Sequence, residues 1–138
     1  MDNPFIGKHG PLLIAEIGGN HEGNFDVALE LTHQAIETDV DIIKYQIYTG
    51  ASLVNKIVSP GRVEHFKKFE LTQENHIHLA ELCIQNGIQY SASIWDESVL
   101  EWIDPYLKLY KIGSGDLTAY PLLKKIAKKG KPIILSTG

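Results

Sequence analysis

Val40-Asp41-Ile42-Ile43-Lys44-Tyr45-Gln46-Ile47-Tyr48 is a run of β-branched and aromatic residues broken by one aspartate, one lysine and one glutamine. Its composition predicts a strand. Side chains alternate along a strand, so Ile43, Tyr45 and Ile47 share one face while Lys44 and Gln46 share the other. Outward from it the chain repeats one theme. Strands are predicted over 12–17, 88–95, 107–112 and 133–136, and helices over 24–38, 72–86, 96–103 and 120–129. Asn24 or Asp26, Thr72 and Asp96 are placed to cap helices, and Gly87, Pro105 and Gly130 to end them. The expected buried positions are Ala28, Leu31 and Ala35 in the first helix and Ile77, Ala80 and Ile84 in the second. In the last helix they are Leu122, Leu123, Ile126 and Ala127. A long connection, 49–71, reads as a functional loop or lid.

Strands alternating with helices imply an α/β fold with parallel strands and right-handed crossovers. A (β/α)₈ barrel of TIM type and an open doubly wound sheet both fit. No GxGxxG fingerprint opens the first helix, which disfavours a dinucleotide-binding sheet. A whole barrel takes about 250 residues. Five strands and four helices in 138 residues therefore make an incomplete barrel, its N-terminal portion.

The alternation seen at Lys44 recurs. Leu13, Ala15 and Ile17 oppose Ile14 and Glu16; Ala92 and Ile94 oppose Ser91 and Ser93; Tyr110 and Ile112 oppose Lys111 and Gly113; Ile133 and Leu135 oppose Ile134 and Ser136. One set suits packing against helices. The other turns polar toward the strand ends, where barrel enzymes carry their reactive groups. Glu16, Lys44, Gln46, Ser93, Lys111 and Ser136 would converge on one cavity. Two lysines among hydroxyls suit a small, highly charged anion, and the Gly113-Ser114-Gly115 turn before a helix could add backbone N–H donors. Taken singly, the same residues have plainer readings. Lys44 and Glu16 could form a structural ion pair, Lys111 could face solvent, and His21 could be an ordinary turn residue. Cys83, among apolar neighbours on a helix, reads as a core thiol.

The formal net charge of −4 argues against a partner held through nucleic-acid phosphates. Lys124, Lys125, Lys128, Lys129 and Lys131 read as a solvated helix face. No apolar run approaches the roughly 20 residues of a membrane span, and the N-terminus lacks a signal-peptide pattern. A single cysteine leaves no internal disulfide, so a reducing, cytoplasmic setting is expected.

Ala15-Glu16-Ile17-Gly18-Gly19-Asn20-His21-Glu22-Gly23, Asp41-Ile42-Ile43-Lys44-Tyr45-Gln46 and Phe69-Glu70-Leu71-Thr72 resemble motifs of the sialic acid (N-acetylneuraminate) synthase family. So do Tyr110-Lys111-Ile112-Gly113-Ser114-Gly115-Asp116-Leu117-Thr118, Tyr120-Pro121-Leu122-Leu123, and Gly130 to Gly138. The resemblance implies a (β/α)₈ barrel followed by an antifreeze-like domain, working as a homodimer. It implies condensation of phosphoenolpyruvate with an N-acylated sugar such as N-acetylmannosamine. C3 of phosphoenolpyruvate attacks the open-chain aldehyde, water adds at C2, and phosphate leaves. It further implies that Lys44, Ser93, Lys111, Ser114 and Ser136 hold phosphoenolpyruvate, that Glu16 contacts the sugar, and that Asp116 lies near the reacting centre, with Gln46 beside them. A divalent metal, usually manganese, would polarise the aldehyde. Its histidine ligands are expected outside these residues, and His21 is not assigned to it. On that expectation the 138 residues alone do not catalyse the condensation.

The chain departs from the family pattern at Ser91-Ala92-Ser93-Ile94-Trp95-Asp96, where Ser-Thr-Pro-Phe-Asp is common. It also carries Asp39 at a usual glycine and Ile47 at a usual threonine. Asp tolerates the left-handed backbone better than most residues. Two other readings stand beside this one: a different phosphoenolpyruvate-condensing barrel, such as a 3-deoxy-heptulosonate synthase, and a non-catalytic half-barrel binding or assembly module.

Overall fold

The structure, a computed structural model, describes residues 3–138. It opens with an element the sequence reading missed. Strands β1 (Ile6–Gly7) and β2 (Gly10–Pro11) pair antiparallel as a minimal hairpin. The hairpin is too short to stand alone. It is fastened by two aspartates, Asp39 and Asp41, just before the strand that begins at Ile42. The Asp41 carboxylate accepts from the N–H of Lys8 at 2.7 Å and of Leu13 at 2.8 Å. These two backbone donors hold its carboxyl below the ordinary range. Asp39 pairs with Lys8 Nζ at 2.5 Å and His9 Nε2 at 2.8 Å. Asp39 adopts φ 56°, so the left-handed position falls on a residue that tolerates it.

The βα series follows: β3 (Ile14–Gly18), α1 (Phe25–Glu37), β4 (Ile42–Ile47), α2 (Gly50–Leu53), α3 (Pro60–Lys67), α4 (Gln73–Gln85), β5 (Gln89–Ile94), α5 (Val99–Ile103), β6 (Tyr110–Ile112), α6 (Tyr120–Lys128) and β7 (Ile133–Leu135). β3, β4 and β5 form one parallel sheet and β6 and β7 another. A single parallel bridge between Tyr90 and Leu107 links the two. The α/β class and the parallel strands agree with the sequence reading. Among the described residues no helix is long and apolar enough to cross a membrane.

Local chemistry explains the boundaries. Asn24 Oδ1 accepts from Asp26 and Val27 N–H and caps α1, while Thr72 and Asn75 form a reciprocal capping box on α4. The 49–71 connection is not a bare loop. It holds α2 and α3, the first capped by a Thr49–Ser52 box and the second begun by Pro60. The predicted strand over 107–112 is ordered as a strand only from Tyr110, because residues 104–106 form a 3₁₀ turn.

The core lies between the strands and one layer of helices. Tyr45, on β4, reaches both neighbouring helices: its hydroxyl donates to the Ala28 carbonyl at 3.0 Å, lies 2.7 Å from Thr32 Oγ1, and its ring meets His76 edge-on. Tyr45 stacks on Tyr90 at 5.8 Å, and Tyr90 OH lies 2.9 Å from His76 Nδ1. Cys83 is buried here, as read from sequence, and burial raises its thiol to about 12.

Two stripe assignments are corrected. In α4 the buried residues are His76, Leu79, Ala80 and Cys83; Ile84 is 49 % exposed and Ile77 only half-buried. The stripe is rotated because a histidine occupies the inward position that an apolar-only reading passes over. In α6, Leu122 and Ile126 are buried but Ala127 is exposed.

Burial lowers His76 from 6.5 to about 3 and lowers His21 in the same direction. Both are neutral in the fold and gain protons more readily when unfolded. Their stabilisation is present above pH 6.5, the unfolded value, and is lost as pH falls toward the folded value. Urea unfolding of the parent protein should weaken between these limits by about 1.4 kcal/mol per pH unit through His76. His76→Gln should flatten this slope; an unaltered slope would overturn the assignment. Asp41→Ala, which removes two buried charge-assisted hydrogen bonds, should cost about 3 kcal/mol in the same measurement at pH 7.

Candidate functional site

The face of the strands away from α1 and α4 carries the polar set. In register, Glu16 lies beside Lys44 and Lys44 beside Ser91; one step further along, Gln46 lies beside Ser93. Lys44 is only 7 % exposed. An ammonium so far from water needs partners. Lys44 Nζ lies 2.6 Å from Glu16 Oε2 and donates to Ser93 Oγ at 3.2 Å. The Glu16 side chain is itself half exposed, so its carboxylate stays in reach of an incoming ligand.

β3 ends in an irregularity that aims Glu16. The register with β4 slips between Glu16 and Gly18. Gly18 adopts φ +57°, and a Cβ there would stand 3.1 Å from Glu16 Oε1 and 3.5 Å from Gln46 Nε2. Such slips recur next to active sites because they redirect a side chain. Gly18 thus lets Glu16, Gln46 and the strand end crowd together. The turn that follows is equally close-fitting. Gly23, at φ +78°, would place a Cβ 1.9 Å from the Lys68 carbonyl oxygen, so the 20–23 turn lies directly on the exit of α3. The carboxylate of Glu70 then accepts from Gly50 N–H at 2.6 Å, tying the two ends of the 49–71 connection.

A second cluster sits on β6 and β7. Lys111 Nζ donates to Ser136 Oγ at 2.6 Å and to the Ile112 carbonyl at 2.8 Å. Burial lowers the Lys111 ammonium, and the charge of Lys44 pushes in the same direction; Glu16 and Asp116 oppose it. The two lysines are thus electrostatic neighbours, and Glu16 acts on both. Asp116 ends the 3₁₀ turn Ser114–Asp116, with its Oδ2 turned back toward Gly113. Six of the residues singled out from sequence therefore form two linked groups: Glu16, Lys44, Gln46 and Ser93, and Lys111 with Ser136. Ser114 is exposed on its turn.

Two residues gain meaning only in three dimensions. Ser91 Oγ is buried and has no hydrogen-bond partner among the described residues. A buried orphan hydroxyl marks a place for an ordered water or a ligand oxygen. His21 is 2 % exposed, not a surface turn residue. Its Nδ1 accepts from Gly23 N–H at 3.0 Å, and its ring lies 6.0 Å from Tyr45. It braces the turn below the site. Among the described residues no three His, Cys, Asp or Glu side chains gather as a metal ligand set, so these residues do not fit a divalent metal such as manganese.

The motifs and geometry together find a match. Residues 31–138 match the model of the NeuB family. The chain belongs to the NeuB family. Over 139 residues it is 36 % identical to the N,N'-diacetyllegionaminic acid synthase of Legionella pneumophila, covering 91 % of this chain and 39 % of that protein. It is 33 % identical over 144 residues to the N-acetylneuraminate-9-phosphate synthase of Mus musculus, covering 96 % of this chain and 40 % of that one. The crystal structure of the N-acetylneuraminic acid (sialic acid) synthetase of Leptospira borgpetersenii, in complex with citrate, superposes with a TM-score of 0.85 at 27 % identity. That match covers 92 % of this chain and 44 % of the other. The chain spans about two fifths of the length of the curated relatives it matches. NeuB-family relatives are sialic acid, legionaminic acid and pseudaminic acid synthases, enzymes of carbohydrate biosynthesis.

The proximity of the two ammonium groups is directly measurable. Lys44→Met removes one positive neighbour, so the Lys111 side chain should titrate at higher pH than in the parent protein. Side-chain NMR of labelled lysine reads this. A Lys111 titration that does not move would place the two charges too far apart to share a ligand.

Proposed function

We propose that these residues are the phosphoenolpyruvate-holding side of a (β/α)₈ synthase that condenses phosphoenolpyruvate with an N-acylated mannosamine-type sugar. The observation that carries the reading is the pair of lysines, each held by a serine hydroxyl on an adjacent strand, on the face free of helices. Phosphoenolpyruvate carries a phosphate and a carboxylate on one small frame. Two separated ammonium groups match it better than a single cation does. Family membership narrows the reading to nonulosonic acid synthesis and weighs against both the heptulosonate-type synthase and the non-catalytic module.

In this reading Lys44 and Lys111 take the phosphate and carboxylate, and the hydroxyls of Ser93 and Ser136 donate to the same oxygens. The Ser114 turn closes over the anion, with Asp116 beside the reacting carbons. Glu16, half exposed beside Lys44, accepts from a hydroxyl or amide of the sugar and orients its aldehyde. C3 of phosphoenolpyruvate then bonds to the aldehyde carbon, whose oxygen takes a proton. Water adds at C2 and loses a proton, and the resulting tetrahedral carbon expels inorganic phosphate to leave a ketone. The chain contributes chiefly by positioning and by fixed positive charge.

Isothermal titration with phosphoenolpyruvate tests the assignment. The parent protein should bind it, and Lys44→Ala and Lys111→Ala should each weaken binding about tenfold or more, the loss of one charged hydrogen-bonding group. Parent-like affinity in both variants would sink the proposal. Phosphate release by the full-length protein across a panel of acylated sugars, phosphorylated and not, would then name the second substrate.

A further inference from the structure

A second polar-tipped cavity lies on the other side of β4 from the lysines. Its volume is about 180 Å³, and it opens between the C-terminal ends of β4 and β5 and the helices α4 and α5. Its walls include Ile47, Leu71, Val99 and the Trp102 indole, and its polar groups include His76 and Asp96. Ile47 and Gln46 are consecutive, so alternation alone puts this cavity outside the anion site.

His76 is the decisive feature. It is 2 % exposed, yet its ring borders the cavity. Tyr90 OH occupies Nδ1, and Nε2 has no partner among the described residues. Burial keeps the ring neutral at physiological pH. With the Tyr90 hydroxyl donating to Nδ1, the neutral ring carries its hydrogen on Nε2, and the site is built on that tautomer. The result is one ring N–H without a protein partner among the described residues, beside a cavity walled by both apolar and polar side chains. Asp96 supplies the complement. Both hydrogen bonds from Ser98, through its N–H and its Oγ, fall on Asp96 Oδ1, leaving Oδ2 without a partner among the described residues.

We propose that this cavity is a binding site for a compact, uncharged aromatic molecule bearing one acceptor and one donor. The acceptor meets His76 Nε2–H and the donor meets Asp96. The space suits a single six-membered ring with a small substituent, since a cavity of about 150 Å³ holds benzene. The carboxylate of Asp96 turns anions away, so phosphoenolpyruvate is not its ligand. The site stands independently of the proposed synthase reading. Its occupant would also touch Tyr48, whose ring meets Phe66 and Trp95 edge-on, each at 5.8 Å, and so would lie against the 49–71 connection.

The test uses 3-hydroxypyridine as the probe, titrated into protein labelled at histidine and followed by NMR. The expected result is a saturable shift of the His76 ring signals with Kd on the order of 1 mM, as a ligand of this size allows. His76→Phe keeps the ring volume and should abolish binding. That variant leaves Tyr90 without its partner, so Asp96→Asn, which retains an acceptor for Ser98, provides the second arm. It should weaken binding about threefold or more while leaving phosphoenolpyruvate affinity unchanged. No saturable shift in the parent protein, or parent-like affinity in Asp96→Asn, overturns the site and leaves the cavity to water.

Discussion

Burying the Lys44 ammonium is the constraint on which the rest of this structure depends. A charge removed from water is costly unless opposite charge and hydrogen bonds meet it. Glu16 and Ser93 do so from the two strands that flank β4. The three side chains can meet only if the parallel registers are those observed, so the ion pair and the sheet specify each other. The next residue secures the arrangement from behind. Tyr45 points the opposite way and is tied to Ala28, Thr32, Tyr90 and His76. A one-residue slip of β4 would place Lys44 in that apolar layer and Tyr45 in the polar cavity. Few registers are so strongly enforced.

The same alternation explains how much was legible in the sequence. It predicted the βα order, the caps Asn24 and Thr72 and the separation of Glu16, Lys44, Gln46, Ser93, Lys111 and Ser136 from the apolar set, because each follows from local pattern; the helix expected to start at an Asp96 cap starts instead at Val99, after Ser98. Features made by long-range contact were not readable. The β1–β2 hairpin depends on Asp39 and Asp41, some thirty positions away in the chain, and has no periodic signal of its own. α2 and α3 are too short to show a helical stripe. His21 and His76 look polar in sequence, but each spends a ring nitrogen on one nearby group and can then be buried among aromatic rings. Passing over His76 as an inward residue is what turned the predicted stripe of α4 toward Ile77 and Ile84.

The arrangement also separates tasks across one strand. Residues of β4 that point away from the helices gather charge; those that point toward them gather rings. Tyr48 and Trp95, beyond the ends of β4 and β5, belong to neither set. Their rings meet at the entrance, where Phe66 of α3 joins them. Trp95 is one of the positions where this chain departs from the family pattern. Its consequence is local: its ring meets Tyr48, which in turn meets Phe66 of the 49–71 connection, while Ser93 keeps its hydroxyl on Lys44.

The two lysines are not equivalent in how firmly they are placed. Lys44 sits in a six-residue strand paired on both sides, within a salt bridge and a hydrogen bond to different neighbours. Lys111 sits in a three-residue strand paired with β7, the one bridge to β5 being made by Leu107 before that strand begins, and it uses the carbonyl of its own neighbour Ile112 as a partner. Lys44 is therefore preorganised, while Lys111 can exchange a backbone acceptor for a ligand oxygen with little loss. Burial and the neighbouring positive charge both work against the Lys111 ammonium, and an anion placed beside it would offset them. In the proposed reading, Lys44 is the fixed cation that sets the position of the anion and Lys111 the adaptable one that closes on it, a division of labour that follows from their strands and their partners.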